Sequence, residues 1–318
     1  MNTLHAVVGA GPLGTAVVEE LLAQGARVTL ISRSSRMGER KELEQVACDA
    51  TDAAALTEAL KGADIVYHCA NAPYHRWPQQ LPPIWDGVLE ATAAVAGRKL
   101  VVGTNLYAYG RPRDGQPLTA HSEINPCTRK GRVRAAVEGR ALEFHRQGAV
   151  RAALVRASDF YGPGVRDSVL GEQFFAAARG GKPATLFGAA DAPHSYAYLP
   201  DFAKTMTAVG LDAGDDVWGR SWIVPNDRPV TARELESNMR RIEPRFSVKF
   251  MSRAMLRFGG LFVPMAREMV EMLYEFEQQF VADGSETEAR FGIAPTDLAS
   301  GLRTAYERAR PAPEHAVQ

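Results

Sequence analysis

The hexapeptide GAGPLG, residues 9–14, stands directly after the apolar run HAVV and opens the periodic segment LGTAVVEELLAQG. A strand, a glycine turn and a helix in that order leave few architectures open. Gly9, Gly11 and Gly14 repeat the G-x-G-x-x-G spacing, in which glycines let the turn and the helix N-terminus approach a pyrophosphate whose charge the helix dipole favours. Alone the hexapeptide is a weak signal. Between a strand and a helix it points strongly to a dinucleotide held by this turn, Pro12 and Leu13 included.

The same rhythm continues. RVTLIS, a helical pattern near Asp52 to Lys61, DIVYHCA, a second helix near Ile84 to Ala96, KLVVGT, a helix over Lys130 to Gln147 and VRAALVRAS follow one another. Such alternation predicts an α/β chain, a doubly wound parallel sheet of the Rossmann type over residues 1–162. After Gly162 the pattern loosens into helices, Gly/Pro turns and isolated strands such as RSWIVP and FSVKFM. Residues 163–310 are expected to form a smaller α/β substrate-binding region over the carboxyl edge of the sheet, with part of it returning to the sheet near 194–210. Residues 311–318 read as a disordered tail.

Charge excludes one class of partner. The segment CTRKGRVRAAVEG places Arg129, Lys130, Arg132 and Arg134 at the start of a helix, yet the 318-residue chain carries 37 Lys plus Arg against 37 Asp plus Glu. A nucleic-acid binder usually presents a broadly basic domain, so no nucleic-acid partner is expected. The apolar stretch MLRFGGLFVPMAREMVEMLY is broken by Arg257, Arg267, Glu268, Gly-Gly and Pro, which excludes a membrane span and suggests a Met-rich amphipathic helix. Cys48, Cys69 and Cys127 have no metal-type spacing, and their odd number argues against a disulfide framework. Reduced thiols in the cytoplasm, and no metal, are expected.

About twenty residues after the glycine turn, where an acid would hold a ribose 2′-hydroxyl, the chain has ISRSSR with Ser32 and Arg33. An acid there would repel a 2′-phosphate, whereas Arg33 would grip one, with Arg36 assisting. NADP is therefore expected ahead of NAD.

With these residues in place, the chain resembles the extended short-chain dehydrogenase/reductase superfamily, in its NAD-dependent epimerase/dehydratase group, over nearly its whole length. CDATD resembles the D-x-x-D after the third strand, which implies Asp49 at the adenine. DIVYHCANA resembles the fourth-strand motif bordering the cofactor and implies Ala70, Asn71 and Ala72 there. TNLYAYG stands where the family has S-x-x-V-Y-G. RASDFYGPG, YLPDFA and RFGIAPTDLASGL are similar to three further family segments. The resemblance also implies a small-molecule substrate and a homodimer formed through the helices after the fourth and fifth strands.

The departures from the family concern chemistry. Aligned with Y-G-x-S-K-x-x-x-E, KGRVRAAVE puts Lys130 at the catalytic tyrosine and Arg134 at the catalytic lysine, and Asn105 falls at the Ser/Thr position. Asn105 hydrogen-bonds but does not titrate, and Arg134 stays charged. Residues 130 and 134 lie one turn apart, on the face that in this family looks at the nicotinamide ribose and the substrate. Cations in a first helical turn oppose the dipole by roughly 0.3 to 1 kcal/mol each when exposed, so an anion is expected beside them: cofactor phosphate, acidic substrate, or internally Glu123 or Glu138. Arg129 and Arg132 read as a solvated face.

Three groups compete for the missing acid. Lys130, crowded by cations and desolvated, is expected to have a lowered pKa; Tyr107, on the side of the strand end that carries Asn105, offers a phenol that nearby cations would acidify; His75 titrates near neutrality. The loop NAPYHRWP brings Tyr74, His75, Arg76 and Trp77 to the sheet's carboxyl edge, Trp77 as a cover for a flat ring. Tyr161 is expected to wall the pocket, and His194 and Tyr196 to touch substrate. Three functions stay open: an NADP-dependent oxidoreductase or epimerase/isomerase acting on an organic carbonyl or hydroxyl compound, a catalytically silent NADP-binding sensor, and a non-redox lyase or isomerase.

Overall fold

The computed structural model describes residues 3–34, 37–259 and 264–309, with only the backbone of 264–267. Arg36 and the tail 311–318 lie outside the described residues. Eleven strands are described: β1 Leu4–Val8, β2 Arg27–Ser32, β3 Leu43–Ala47, β4 Ile65–His68, β5 Arg98–Asn105, β6 Val150–Ala157, β7 Asp159–Tyr161, β8 Ala184–Phe187, β9 Tyr196–Tyr198, β10 Ser221–Ile223 and β11 Val248–Met251. The helices are α1 Pro12–Ala23, α2 Ala53–Ala59, α3 Trp77–Ala93, α4 Arg129–Arg146, α5 Glu172–Arg179, α6 Leu199–Leu211, α7 Ala232–Arg240, α8 Arg253–Gly259, α9 Pro264–Met272, α10 Tyr274–Glu277, α11 Ser285–Phe291 and α12 Leu298–Arg308.

Seven strands pair in the order β10-β6-β5-β4-β1-β2-β3, all parallel. The direction of winding reverses between β1 and β4, the place where open sheets of this kind bind ligands. Alternation along the strands feeds two cores: Val7 and Val101 face the layer of α1 and α6, while Ala6, Val8, Leu100 and Val102 face α2, α3 and α4. Val17, Val18 and Leu21 of α1 are wholly buried, each contributing roughly 1.5–3 kcal/mol. Helix α1 is thereby fixed with its N-terminus under the glycine turn.

The strand RSWIVP is not isolated. Its core, β10, is the seventh strand of the main sheet, beside β6. Three buried residues are too few to show a period, so only pairing reveals the strand's place. Helix α3 starts at Trp77, not near Ile84. Pro82 and Pro83 read as helix breakers, yet Trp77, Leu81 and Trp85 recur at i, i+4 and i+8, and their burial holds the turn. A smaller layer formed by the parallel pair β8 and β11 with α5, α7 and α12 encloses its own core, and β7 pairs with β9. No helix among the described residues is long and apolar enough to cross a membrane.

Candidate active site

The glycine turn fits a dinucleotide on packing grounds. Gly9 has φ +105°, and a Cβ there would come within 2.6 Å of Ala70 backbone; a Cβ on Gly14 would lie 1.8 Å from the Gly9 carbonyl oxygen. Both positions must therefore be glycine for the fold to close. Gly11 differs: its φ is −73° and its Cβ would meet nothing within 4 Å. Gly11 caps α1 without a side-chain hydrogen bond, Pro12 follows, and the open space beside it suits an anion at the helix N-terminus. Cys69 and Ala70 border this turn from the end of β4, and the Asn71 side chain caps the Ala72 N–H at 3.0 Å.

Ser32 ends β2 and Arg33 is exposed beyond it. Asp49 lies close enough for Arg33 to act on it: hydrogen bonds from Thr51 first, and Arg33 in addition, hold its carboxyl below the usual range.

On α4, Thr128 caps the helix by accepting from the Gly131 N–H at 2.9 Å, which sets the phase of the first turn. Lys130 is completely buried. Its ammonium sits 4.4 Å from the centre of the Tyr74 ring, pairs with Glu268, and lies 3.4 Å from Glu271 Oε1. Arg129 grips both oxygens of Glu268 at 2.8 and 2.9 Å, and its backbone N–H donates to Glu271. The internal anions beside Lys130 are thus Glu268 and Glu271 of α9; Glu138, paired with Arg156, supplies the anion beside Arg134, whereas Glu123 pairs with Arg113 at the surface. Arg129 is exposed, as a solvated face would be, but its Nη2 also binds it to α9; Arg132 is exposed. Burial lowers the Lys130 pKa, with Glu271 opposing; the neighbouring cation that adds to the lowering is Arg129, not Arg134.

Arg134, one turn on, is buried with its guanidinium 4.2 Å from the Trp77 ring centre and 5.9 Å from that of Trp85. Its Nη2 reaches Asn71 Oδ1 at 3.4 Å, and its Nε is buried without a hydrogen-bond partner. Burial pushes its pKa down to about 10, against the attraction of Glu138. Trp77 therefore lies under Arg134 and donates to the Ala72 carbonyl at 3.0 Å, a structural placement rather than a cover for a ligand ring.

Strand β5 stops at Asn105, so Tyr107 sits in a turn and not on a continued strand face. The two are nevertheless joined, because Asn105 Oδ1 accepts from the Tyr107 N–H at 3.1 Å. The Tyr107 and Tyr74 hydroxyls lie 3.4 Å apart. Burial drives the Tyr107 pKa well up, and the negative fields of Glu275 and Asp159 add to it; the expected acidification by cations does not occur. His75 and Arg76 occupy the exposed side of a 3-10 turn, while Tyr74 points inward: a three-residue turn cannot aim all four loop residues at one site. His75 thus has no place in the buried cluster.

His194 is buried, with partners the sequence did not reveal. Its Nε2 lies 2.9 Å from Asp159 Oδ2 and its Nδ1 3.1 Å from the Glu275 carbonyl. A carbonyl only accepts, so Nδ1 carries a hydrogen, and the pair holds a further proton between Nε2 and Asp159. Phe276 and Phe280 stack on the ring at 4.8 and 5.6 Å, and Tyr196 lies 4.7 Å away. The buried Glu275 carboxyl accepts from the Tyr274 hydroxyl at 3.1 Å, and desolvation raises its pKa well above the usual range. Tyr161, expected at the pocket wall, instead belongs to the core of the smaller layer, its hydroxyl against Gly301 of α12.

The residues missed were Asp159, Glu268, Glu271 and Glu275. The last three recur at i+3 and i+7 along EMVEMLYE, a one-face acidic pattern; they are legible as a stripe, but nothing local says that α9 lies across α4.

His68, at the end of β4, is buried, and neither ring nitrogen has a hydrogen-bond partner; its ring meets Trp85 edge-on at 5.0 Å. Burial, with Arg134 adding, pushes its pKa down to about 3 from 6.5. The unfolded chain takes up a proton below about 6.5 that the folded chain refuses, so this group removes stability as the pH falls towards 3, by roughly 1.4 kcal/mol per pH unit. Urea denaturation of His68→Met between pH 6.5 and 4.5 is expected to show a shallower loss than the wild type. Equal slopes would disprove the neutral buried ring.

Comparison with known proteins places this geometry. The model of the NAD dependent epimerase/dehydratase family matches residues 6–218. UDP-glucuronic acid 4-epimerase from Bacillus cereus, solved in complex with NAD, has a TM-score of 0.79 at 17% identity, covering 96% of this chain and 98% of that one. dTDP-glucose 4,6-dehydratase from Bacillus anthracis in complex with NAD has a TM-score of 0.76 at 14% identity, with 96% of each chain covered. At such identities the likeness is one of fold. A stretch of 75 residues is 39% identical to the sterol-4-alpha-carboxylate 3-dehydrogenase, decarboxylating, of Dictyostelium discoideum, and spans 22% of each protein.

Proposed function

The chain belongs to the NAD-dependent epimerase/dehydratase family, a group of NAD(P)-dependent oxidoreductases and epimerases, and on that premise we propose that it uses NADP to act on a small or medium organic carbonyl or hydroxyl compound. When bound, the nicotinamide ring supplies reversible two-electron chemistry. Gly9, Gly11, Pro12, Leu13 and Gly14 hold the pyrophosphate end, Ser32, Arg33 and Asp49 the adenosine end, and Ala70, Asn71 and Ala72 the flank. Arg134, with its unpartnered Nε and long contact to Asn71, faces the same edge as a fixed positive charge.

One observation carries the catalytic part. Tyr107 and Tyr74 share a single hydrogen bond, so of their two hydroxyl hydrogens one is left for a substrate oxygen. Burial keeps both phenols protonated at neutral pH, which suits a donor that releases its proton only as charge develops on that oxygen. Asn105 keeps its amide hydrogens as a second donor, since its oxygen is engaged. The free state of Cys48, Cys69 and Cys127 supports a reducing, cytoplasmic setting.

NADPH oxidation against a panel of aldehydes and ketones tests the assignment. Tyr107→Phe is expected to lose about 100-fold or more in kcat, with coenzyme affinity and Tm unchanged; full activity removes Tyr107 from the chemistry. Arg33→Ala is expected to weaken NADP about tenfold and leave NAD as it was, whereas equal losses would remove the 2′-phosphate role. The closure of α9 over Lys130 favours a second reading, a protein that binds NADP tightly without turnover, and an inert panel with measurable NADP binding would select it.

A further inference from the structure

The first turn of α4, with α8, α9 and α10, borders a cavity of about 470 Å³. Four arginines, Arg111, Arg129, Arg132 and Arg253, line it against two glutamates, Glu268 and Glu271. Those two carboxylates are already committed to Lys130 behind the wall, and Glu268 also to Arg129 Nη2. Arg253 turns to Glu277, and Arg111 stacks 5.1 Å over the Tyr274 ring. Among the described residues, Arg111 and Arg132 have no carboxylate partner. The cavity wall therefore carries uncompensated positive charge in the form that grips planar or tetrahedral oxyanions through paired N–H groups.

Glu268 shows what these groups accept. It is a nearly buried carboxylate held through both oxygens by one guanidinium and contacted by an ammonium that is 0% exposed. A lysine so placed, in a helical turn whose dipole opposes it, is stable only with an oxyanion beside it.

We propose that this cavity is an oxyanion-binding site for a carboxylate or phosphate group on the substrate, and that Glu268 occupies the position of that group until the ligand exchanges with it on Arg129 and Lys130. Arg132 and Arg111 complete the ligand's contacts from the open side. The site names an acidic substrate class for the reaction proposed above and rests on that reading only in calling the ligand a substrate; oxyanion binding itself needs no coenzyme.

Isothermal titration of the full chain with inorganic phosphate and, separately, with succinate at fixed ionic strength tests it. Glu268→Gln, which removes the internal competitor's charge, is expected to bind at least one of the two about tenfold more tightly than the wild type. Arg132→Ala is expected to weaken that ligand about tenfold at unchanged Tm. A response to phosphate alone assigns a phosphoryl group, and to succinate alone a carboxylate. The proposal is overturned by no saturable heat from either ligand with either protein, by equal affinities of wild type and Glu268→Gln, or by unaltered binding in Arg132→Ala. If Glu268→Gln does not fold, Glu271→Gln supplies the same comparison, because it withdraws the other internal carboxylate. NADP titrated into the same samples reads the coenzyme site independently, so loss of one result does not imply loss of the other.

Discussion

Gly11→Ala is expected to abolish measurable NADP binding, at least a 100-fold loss, while leaving Tm within a degree or so of the wild type. The reason is the asymmetry of the turn. Gly11 has an ordinary φ and open space where a Cβ would stand, so nothing in the protein requires glycine there; only an approaching pyrophosphate does. Gly14→Ala meets the opposite situation, a Cβ 1.8 Å from the Gly9 oxygen. That contact is with backbone and cannot be relieved by rotating a side chain, so this variant should lose about 2 kcal/mol or more of stability together with the coenzyme. Calorimetric titration and thermal melts of the two variants separate the causes. Wild-type affinity in Gly11→Ala would remove the dinucleotide from this turn.

The second large effect concerns stability. Glu138 and Arg156 are 2% and 1% exposed and lie 2.9 Å apart, Glu138 also accepting from Thr104. Arg156 donates further to Ser221 Oγ and to the Asn105 carbonyl, and its guanidinium lies over Tyr109. The pair thus ties α4 to β5, β6 and β10 just beneath the site. Glu138→Ala leaves a buried guanidinium uncompensated and is expected to cost about 3–5 kcal/mol in urea denaturation. Replacing both residues, Glu138→Leu with Arg156→Met, is expected to cost less than the single change, because no charge is left without a partner. If the double variant is as unstable as the sum of the two singles, the coupling is absent. Because Arg156 also holds the Asn105 carbonyl, Glu138→Ala should displace the end of β5 and reduce whatever activity Tyr107 supports.

Part of the site was legible because its signals are local. The glycine spacing, the strand before it and the helix after it lie within twenty residues, and the absence of an acid beyond β2 is likewise a matter of counting. Lys130 and Arg134 were placed on one face by helical periodicity alone. Their surroundings were not, since Glu268 and Glu271 lie some 140 positions away and reach α4 only through the path of the chain across the sheet edge. Tyr107 illustrates the same limit. The alternation of β5 was projected past the point where the strand ends, whereas the link to Asn105 comes from a side chain folding back on a turn.

What the sequence determined by itself is the parallel sheet and its glycine turn, because periodicity and φ preferences act over a few positions. Only the tertiary structure decided that Lys130 is sealed by acids of α9, that His194 meets Asp159 and Glu275, that Trp77 supports Arg134, and that RSWIVP completes the main sheet. Those contacts join segments whose separation along the chain carries no signal: which charge neutralises which is settled by the burial of both, and burial belongs to the packed molecule.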